Sequence, residues 1–241
     1  MTEPDTSNAP VAGWPSGVVL PAKHSWPVVV RAGAVVLRPL TKHDASAWDQ
    51  LRASNLRWTY EWDATLPPDA SQRPAPYRAW LRRMNAQARA EYSLPWALAV
   101  DEGWPDQPAP ASRTRLIGQV TVANILKGSA RSGVIGYWID EHYAGRGLVP
   151  AAVALACDYC WQVMRLHRIE ICIRPENAPS LRVVEKLGFR EEGLRPRFLH
   201  INGDWRDHRV FALNRDEVRG GLLNRLFPDG QLPSIGRAGW L

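Results

Sequence analysis

Residues 140–152 read DEHYAGRGLVPAA: two glycines flank an arginine, between a β-branched and aromatic run (SGVIGYWID, 132–140) and an alanine-rich one (PAAVALACDYCWQVMRLH, 150–167). The first run reads as a strand. The second reads as a helix whose Val153, Cys157, Cys160 and Met164 recur at helical spacing as one apolar stripe. A strand that enters a Gly-x-Gly turn and leaves as a helix gathers main-chain N–H groups at a helix N-terminus, where an anion is favoured. Gly145 and Gly147 permit close approach without a Cβ clash. Pro150 suits the first helical turn, where its missing N–H is not needed, and Arg146 adds a full positive charge. The pattern is an anion cradle suited to a pyrophosphate. It is not a dinucleotide fingerprint, which needs glycine where Pro150 stands, nor a phosphate loop of the G-K-[ST] type.

Working outward, AVVLRPL (34–40) and LIGQVTVANI (116–125) read as strands, as does the segment after Pro95 in EYSLPWALAV (91–100). TKHDASAWDQLRASNLRW (41–58) reads as a helix capped by Thr41 or Asp44, with Ala47, Leu51 and Leu56 on its apolar side. A second helix contains Arg82 and ends before Glu91, and a proline-rich loop fills 101–115. RIEICIR (168–174) alternates strictly, with three isoleucines on one face. ENAPSLRVVEKLGF (176–189) is a short helix with Gly188 at a left-handed C-terminal cap. FLHI (198–201) and RVFAL (209–213) form a hairpin through NGD. This order of elements predicts an α/β (α+β) domain with a mixed sheet. Residues 1–27, rich in Pro, Ser, Gly and Asn, are expected to be a flexible arm, 28–219 a single domain, and 220–241 a loosely attached tail.

Composition sets the class. The 241 residues are 45% hydrophobic and 22% charged, enough for a globular core. The 12 tryptophans and 20 prolines suit a surface with aromatic-lined grooves. No apolar run nears the roughly 20 residues that cross a bilayer, and the N-terminus lacks a signal-peptide pattern, so a cytoplasmic protein with no membrane partner is expected. Cys157 and Cys160 form a lone CxxC inside an apolar helix, without the second pair a zinc site needs, and no metal is expected. A formal charge of +6 favours anionic partners. The run 73–90 carries Arg73, Arg78, Arg82, Arg83 and Arg89 with no carboxylate. It is either a solvated helix face or a docking surface for an acidic or nucleic-acid-bound partner.

Three stretches together carry a resemblance: IGYWIDEHYAGRGLVPAAVALACDY (135–159), HRIEICIRPENAPSLRVVEKLGFREEG (167–193) and NGDWRDHRVFAL (202–213). They resemble the GNAT superfamily of acetyl-CoA-dependent N-acetyltransferases and, within it, the RimJ/RimL type, which acetylates N-terminal α-amines of ribosomal proteins on alanine or serine. The resemblance is strongest over about residues 115–215 and extends back to about residue 34. It implies a mixed central sheet that splays between two strands, flanked by helices, with acetyl-CoA as cofactor and CoA as product. The pyrophosphate would lie on the backbone of Gly145, Arg146, Gly147, Leu148 and Val149, ahead of Pro150. The family prefers Arg or Gln where Ala144 stands, and Gly or Ala where Val149 stands. The pantetheine arm would lie between the strands of GYWID and RIEICIR, bonded by main-chain groups around Trp138, Ile139 and Asp140, which would also polarise the thioester carbonyl. Asn177 matches the asparagine that contacts the arm. Ser180 matches the serine that protonates the departing thiolate. Read without the family, the same two residues cap and satisfy a helix start.

The acceptor must lose a proton before it attacks. An α-amine has a pKa of about 7.7–8.0, against about 10.4 for lysine, so a water relay or no base at all suffices near neutral pH. One branch of the family places a glutamate base where this chain has Leu199, which leaves Glu141, Glu91, Tyr92, His200 and Asp204 as candidates. Trp58, Tyr60 and Trp62 line the acceptor groove or plug the core edge; Tyr92 and His200 complete the candidate groove. In WRDH (205–208) the adjacent Asp207 and His208 point to opposite faces of a strand and form no relay. Direct transfer to the N-terminal amine of a (ribosomal) protein in a ternary complex is the leading expectation. Acetylation of a small amine, and a catalytically silent CoA-binding or ribosome-docking module with weak RNA contact through the arginine-rich helix, are the alternatives. A homodimer fits either.

Overall fold

Strands whose apolar residues alternate or run continuously dominate the computed structural model, which describes residues 15–71 and 75–235. They are β1 (Val18–Val19), β2 (Val30–Ala32), β3 (Val35–Pro39), β4 (Leu94–Val100), β5 (Arg115–Leu126), β6 (Ser132–Ile139), β7 (Arg168–Ile173), β8 (Arg190–Ile201) and β9 (Asp204–Asn214). Among the described residues they form one sheet in the order β1-β2-β3-β4-β5-β6-β7-β9-β8. Every neighbouring pair is antiparallel except β6 and β7. The mixed sheet flanked by helices agrees with the expected architecture.

The helices divide between the two faces. On one lie α4 (Leu148–Gln162), α5 (Ala178–Leu187) and α6 (Leu222–Leu226); on the other, α1 (Ala45–Ser54), α2 (Leu56–Thr59) and α3 (Tyr77–Arg89). α4 departs from the expected single stripe. Leu148 and residues 151–161 are buried all round, and Met164 lies beyond its end. Such a helix must be covered on every side. The sheet covers one side; α6 and the segment around His24 cover the others.

The sequence boundaries of the arm and tail are drawn differently by this packing. Val18, Leu20 and Trp26 are buried in the main core, and Trp26 Nε1 donates to Asn85 Oδ1 at 2.7 Å. His24 hydrogen-bonds the Tyr159 hydroxyl on α4. Leu222, Leu223 and Leu232 are buried as well, and Ala34 N donates to Pro233 O at 2.9 Å. Residues 15–27 and 220–235 are therefore parts of the domain, because their few large apolar side chains close gaps around α4. Residues 1–14 and 236–241 of the expected arm and tail, and Arg73 of the arginine-rich run, lie outside the described residues.

One buried polar contact pins the tail. Asp158 of α4, fully buried, accepts from Leu222 N at 2.7 Å and Leu223 N at 2.8 Å, the orphan donors at the start of α6. Burial pushes its carboxyl up to about 7, with those two donors opposing only in part.

Candidate functional site

The parallel junction is where the sheet opens. Ser132, Gly133 and Val134 of β6 pair with Arg168, Ile169 and Glu170 of β7, and there the pairing stops. β6 continues to Ile139 and β7 to Ile173, each held from its far side, by β5 and β9. Asp140 N donates to Ile117 O at 2.7 Å, so alternation along the antiparallel β5–β6 ladder turns the main-chain groups of Trp138 and Asp140 toward β5. Those of Ile135, Tyr137 and Ile139 face the gap. Of the main-chain groups expected to meet a pantetheine arm, only those of Ile139 face the gap, joined by those of Tyr137. The Ile139 carbonyl already accepts from Trp58 Nε1 at 3.0 Å, which leaves its N–H.

β6 leads into the glycine turn. Asp140 Oδ1 accepts from His142 N at 3.2 Å and lies 3.0 Å from His142 Nδ1, fixing a single helical turn at 141–143. Buried Asn55 accepts from Glu141 N at 2.8 Å, while the Glu141 side chain is exposed. Gly145 and Gly147 then take φ of 74° and 71°, the left-handed region that glycine adopts without strain, and a Cβ at Gly145 would meet nothing within 4 Å. Among the described residues, none accepts a hydrogen bond from the N–H groups of Gly145, Arg146, Gly147, Leu148 or Val149. Pro150 is the third residue of α4 and has no N–H. Arg146 is exposed, its guanidinium 5.4 Å from the Tyr143 ring. Five free donors at a helix start, ringed by left-handed glycines, fit a diphosphate.

α5 closes the gap from the β7 side. Asn177 is its N-cap, Oδ1 accepting from Ser180 N at 3.1 Å, so this carbonyl is engaged and the amide NH2 is available. Ser180 is half-buried, its side chain beside the Tyr137 hydroxyl. Across the gap, the Tyr137 hydroxyl reaches Ser180 O at 3.5 Å. Burial pushes that phenol up to about 12, the Ser180 contact opposing, so it remains a proton donor at neutral pH. Sequence reading missed Tyr137; its place in a strand between Gly136 and Trp138 gave no sign of facing α5.

The acceptor candidates separate. Trp58 holds Ile139, and Trp62 lies under Arg174, whose guanidinium is 5.3 Å from its ring and donates to Glu61 O at 2.7 Å. The 58–62 turn thus spans the mouth of the gap, with Tyr60 55% exposed. Tyr92 belongs elsewhere: its carbonyl pairs with Ile125, at the opposite end of β5 from the Gly118 that faces Ile139, roughly 23 Å away at strand rise. Glu91, paired with Lys127, is at that same end. His200 is buried, 2.9 Å from Thr65 Oγ1 and edge-on to Trp205, and staples the 64–65 loop to β8. Tyr92, Glu91 and His200 are withdrawn from the site by these placements.

In their stead stands a cleft of about 850 Å³ on the face of α1 and α3, lined by Trp48, Arg52, Asp63, Tyr77, Trp80 and Gln119 among others. The Arg52 guanidinium sits 4.7 Å over the Trp138 ring and is paired with Asp63. Trp48 packs on Trp80, Tyr77 and Trp138. Gln119 of β5 opposes Trp138 in the β5–β6 register, so the cleft floor is the strand next to the one that borders the gap.

Residues 34–190 match the model of the acetyltransferase (GNAT) domain. The chain belongs to the GNAT acetyltransferase family. It is 44% identical over 108 residues to the probable N-acetyltransferase YjcK of Bacillus subtilis, covering 44% of this chain and 60% of that protein. It is 35% identical over 106 residues to the [ribosomal protein uS5]-alanine N-acetyltransferase of Escherichia coli, covering 44% of this chain and 55% of that one. The chain thus spans a little over half the length of these curated relatives. Among solved structures, Mycobacterium smegmatis RimJ in complex with CoA-disulfide superposes with a TM-score of 0.76 at 33% identity, over 87% of this chain and 98% of that one.

Proposed function

We propose that this GNAT protein transfers an acetyl group from acetyl-CoA to the N-terminal α-amine of a protein acceptor, by direct attack within a ternary complex. The observation that carries the reading is the run of unspent main-chain donors, Gly145 to Val149 on the glycine turn and Tyr137 and Ile139 on the open edge of β6. When bound, acetyl-CoA supplies the activated acyl thioester. Gly145–Val149 would hold its diphosphate, and the Asn177 amide its arm. The Ile139 N–H, fixed by the Trp58 bond to its own carbonyl, would polarise the acyl oxygen. Ser180, with Tyr137 beside it, would protonate the leaving thiolate. The acceptor would enter over the Trp48–Trp80–Trp138 cluster. Exposed Glu141 and cleft-lining Asp63 are the carboxylates positioned to take its proton through water. The RimJ-type relatives support a protein N-terminus, and ribosomal proteins in particular, as the acceptor class.

The test is release of free thiol from acetyl-CoA in the presence of N-terminal peptides beginning with Ala or Ser. Turnover that disappears when the peptide is N-terminally blocked supports the reading. Turnover of spermidine or a small aminated compound, with none on any peptide, overturns the acceptor class.

A further inference from the structure

The face of β7 and β9 that turns away from α5 holds an imidazole that the reaction above does not use. Cys172 opposes Val210 and Ile173 opposes Arg209, so the same register brings Arg174 opposite His208. Ile169, Ile171 and Ile173 point into the main core, so by alternation Cys172, Arg174, Val210 and His208 face the other side. That is the side of the 58–62 turn, since Arg174 packs on Trp62 and donates to Glu61 O. His208 also stands at the height of the gap. Four residues beyond the last β6–β7 pair, Val134 and Glu170, come Trp138 and Arg174, and His208 lies one strand spacing, about 5 Å, behind Arg174.

The ring is held in one tautomer. Its Nδ1 is 3.0 Å from the Arg206 carbonyl oxygen, which can only accept, so the proton of the neutral ring sits on Nδ1 and the lone pair on Nε2. Phe198 meets the ring edge-on at 5.6 Å, and the residue is 4% exposed. Nε2 has no hydrogen bond among the described residues, yet it is not one of their enclosed unpartnered atoms, so water reaches it. The charged groups around it are Arg174 and Glu176 beyond β7, Arg195 opposite it on β8, and Asp207 beside it. Burial holds the imidazole below its ordinary range and the Arg174 charge adds to this, while the Arg206 carbonyl, Asp207 and Glu176 oppose. The ring is therefore neutral at neutral pH, with its lone pair available.

We propose that the proton released by the acceptor amine passes through water to Nε2 of His208, ahead of the Glu141 and Asp63 carboxylates. The inference rests on the acetyl-transfer reading above and adds the group that receives the proton. An ammonium N–H bond breaks, an Nε2–H bond forms, and the neutral amine attacks the acyl carbon as the thiolate departs. The imidazolium returns its proton to solvent once the product leaves. An imidazole lies closer in pKa to an α-ammonium of about 7.7–8.0 than a carboxylate of the ordinary range does, so the transfer is less steeply uphill.

The experiment measures kcat/KM by thiol release on one peptide beginning with Ala, from about pH 5.5 to 9. The wild-type profile is expected to rise through a midpoint below the ordinary histidine value of about 6.5. His208→Asn keeps a donor for the Arg206 carbonyl and loses the base, so only acceptor that is already neutral reacts. Its midpoint should move up to the amine's own, about 7.7–8.0, and its ratio of activity at pH 9 to that at pH 6.5 should exceed the wild-type ratio by about tenfold. Taken within one preparation, that ratio cancels a loss of folded protein. A wild-type midpoint already at the amine's own value overturns the assignment, whether or not the variant folds. So does an unshifted midpoint in His208→Asn, or a shift in Glu141→Gln or Asp63→Asn with none in His208→Asn; each leaves acetyl transfer intact. Absence of turnover on any peptide at any pH, with acetyl-CoA still bound, removes the acceptor reading and this inference together.

Discussion

In the proposed reaction Asn177 and Ser180 serve the fold and the chemistry at once. Asn177 spends its carbonyl on Ser180 N, a cap worth about 1 kcal/mol, and keeps an amide NH2 for another partner. Asn177→Asp preserves the cap and removes the NH2, so thermal stability should hold within about 0.5 kcal/mol while acetyl-CoA affinity falls severalfold by calorimetry. Equal affinity for the two proteins would reduce Asn177 to a cap. At the leaving-group end two hydroxyls compete for one role. Ser180→Ala and Tyr137→Phe are each expected to slow single-turnover acetyl transfer by up to about tenfold, and the pair together by more than the product of the two, since either can donate when the other is lost. Acetyl-CoA affinity should stay within about twofold in both. An unaltered rate in both single variants and the double one would place the proton donor elsewhere. Tyr137 was invisible in the sequence because its importance lies in what stands opposite it, the turn of a helix more than forty residues later.

Among the elements, those with a strong internal period were legible and those defined by their neighbours were not. β7 alternates buried and half-buried residues along its whole length, as RIEICI demands. The glycine turn, too, could be read, because left-handed glycines ahead of a helix leave few alternatives. α6 could not: five residues, LLNRL, reveal nothing of their partner, Asp158, more than sixty positions earlier. The cleft beside Trp48 and Trp80 was equally hidden, assembled as it is from α1, α3, β5 and the 63–66 loop. The Asp158–α6 contact makes a pH-dependent prediction. Burial pushes its carboxyl up to about 7, above the ordinary aspartate value of 3.8, so between those values the folded state holds a proton that the unfolded chain has released. The stability this group contributes is complete below about pH 4 and is lost as pH rises through 7. Denaturant unfolding at pH 5 and pH 8 should therefore show a larger drop for the wild-type protein than for Asp158→Asn, which cannot titrate. Parallel drops would mean that the carboxyl is already ionised at pH 5.

For the molecule as a whole, the decisive feature is a sheet that is continuous everywhere but along half of one seam. Antiparallel pairing holds β6 to β5, and β7 to β9, over nearly their full lengths, while β6 and β7 share only three residue pairs. Two rigid half-sheets thus diverge from a common edge, and the strand that borders the opening keeps alternate main-chain groups unspent. A polar ligand that inserts there completes the ladder without requiring either half to move. Amide hydrogen exchange reads this directly. Without ligand, the N–H groups of Tyr137, Ile139 and Gly145–Val149 should exchange quickly, having no acceptor among the described residues. Trp138 and Asp140, which face β5, should exchange slowly throughout. Addition of CoA should slow the first set by an order of magnitude or more and leave the second unchanged. Protection that appeared equally on Trp138 and Asp140 would signal general stiffening of the sheet. No protection at Gly145–Val149 under saturating CoA would mean that the diphosphate is held by side chains such as Arg146, and the backbone cradle would lose its role.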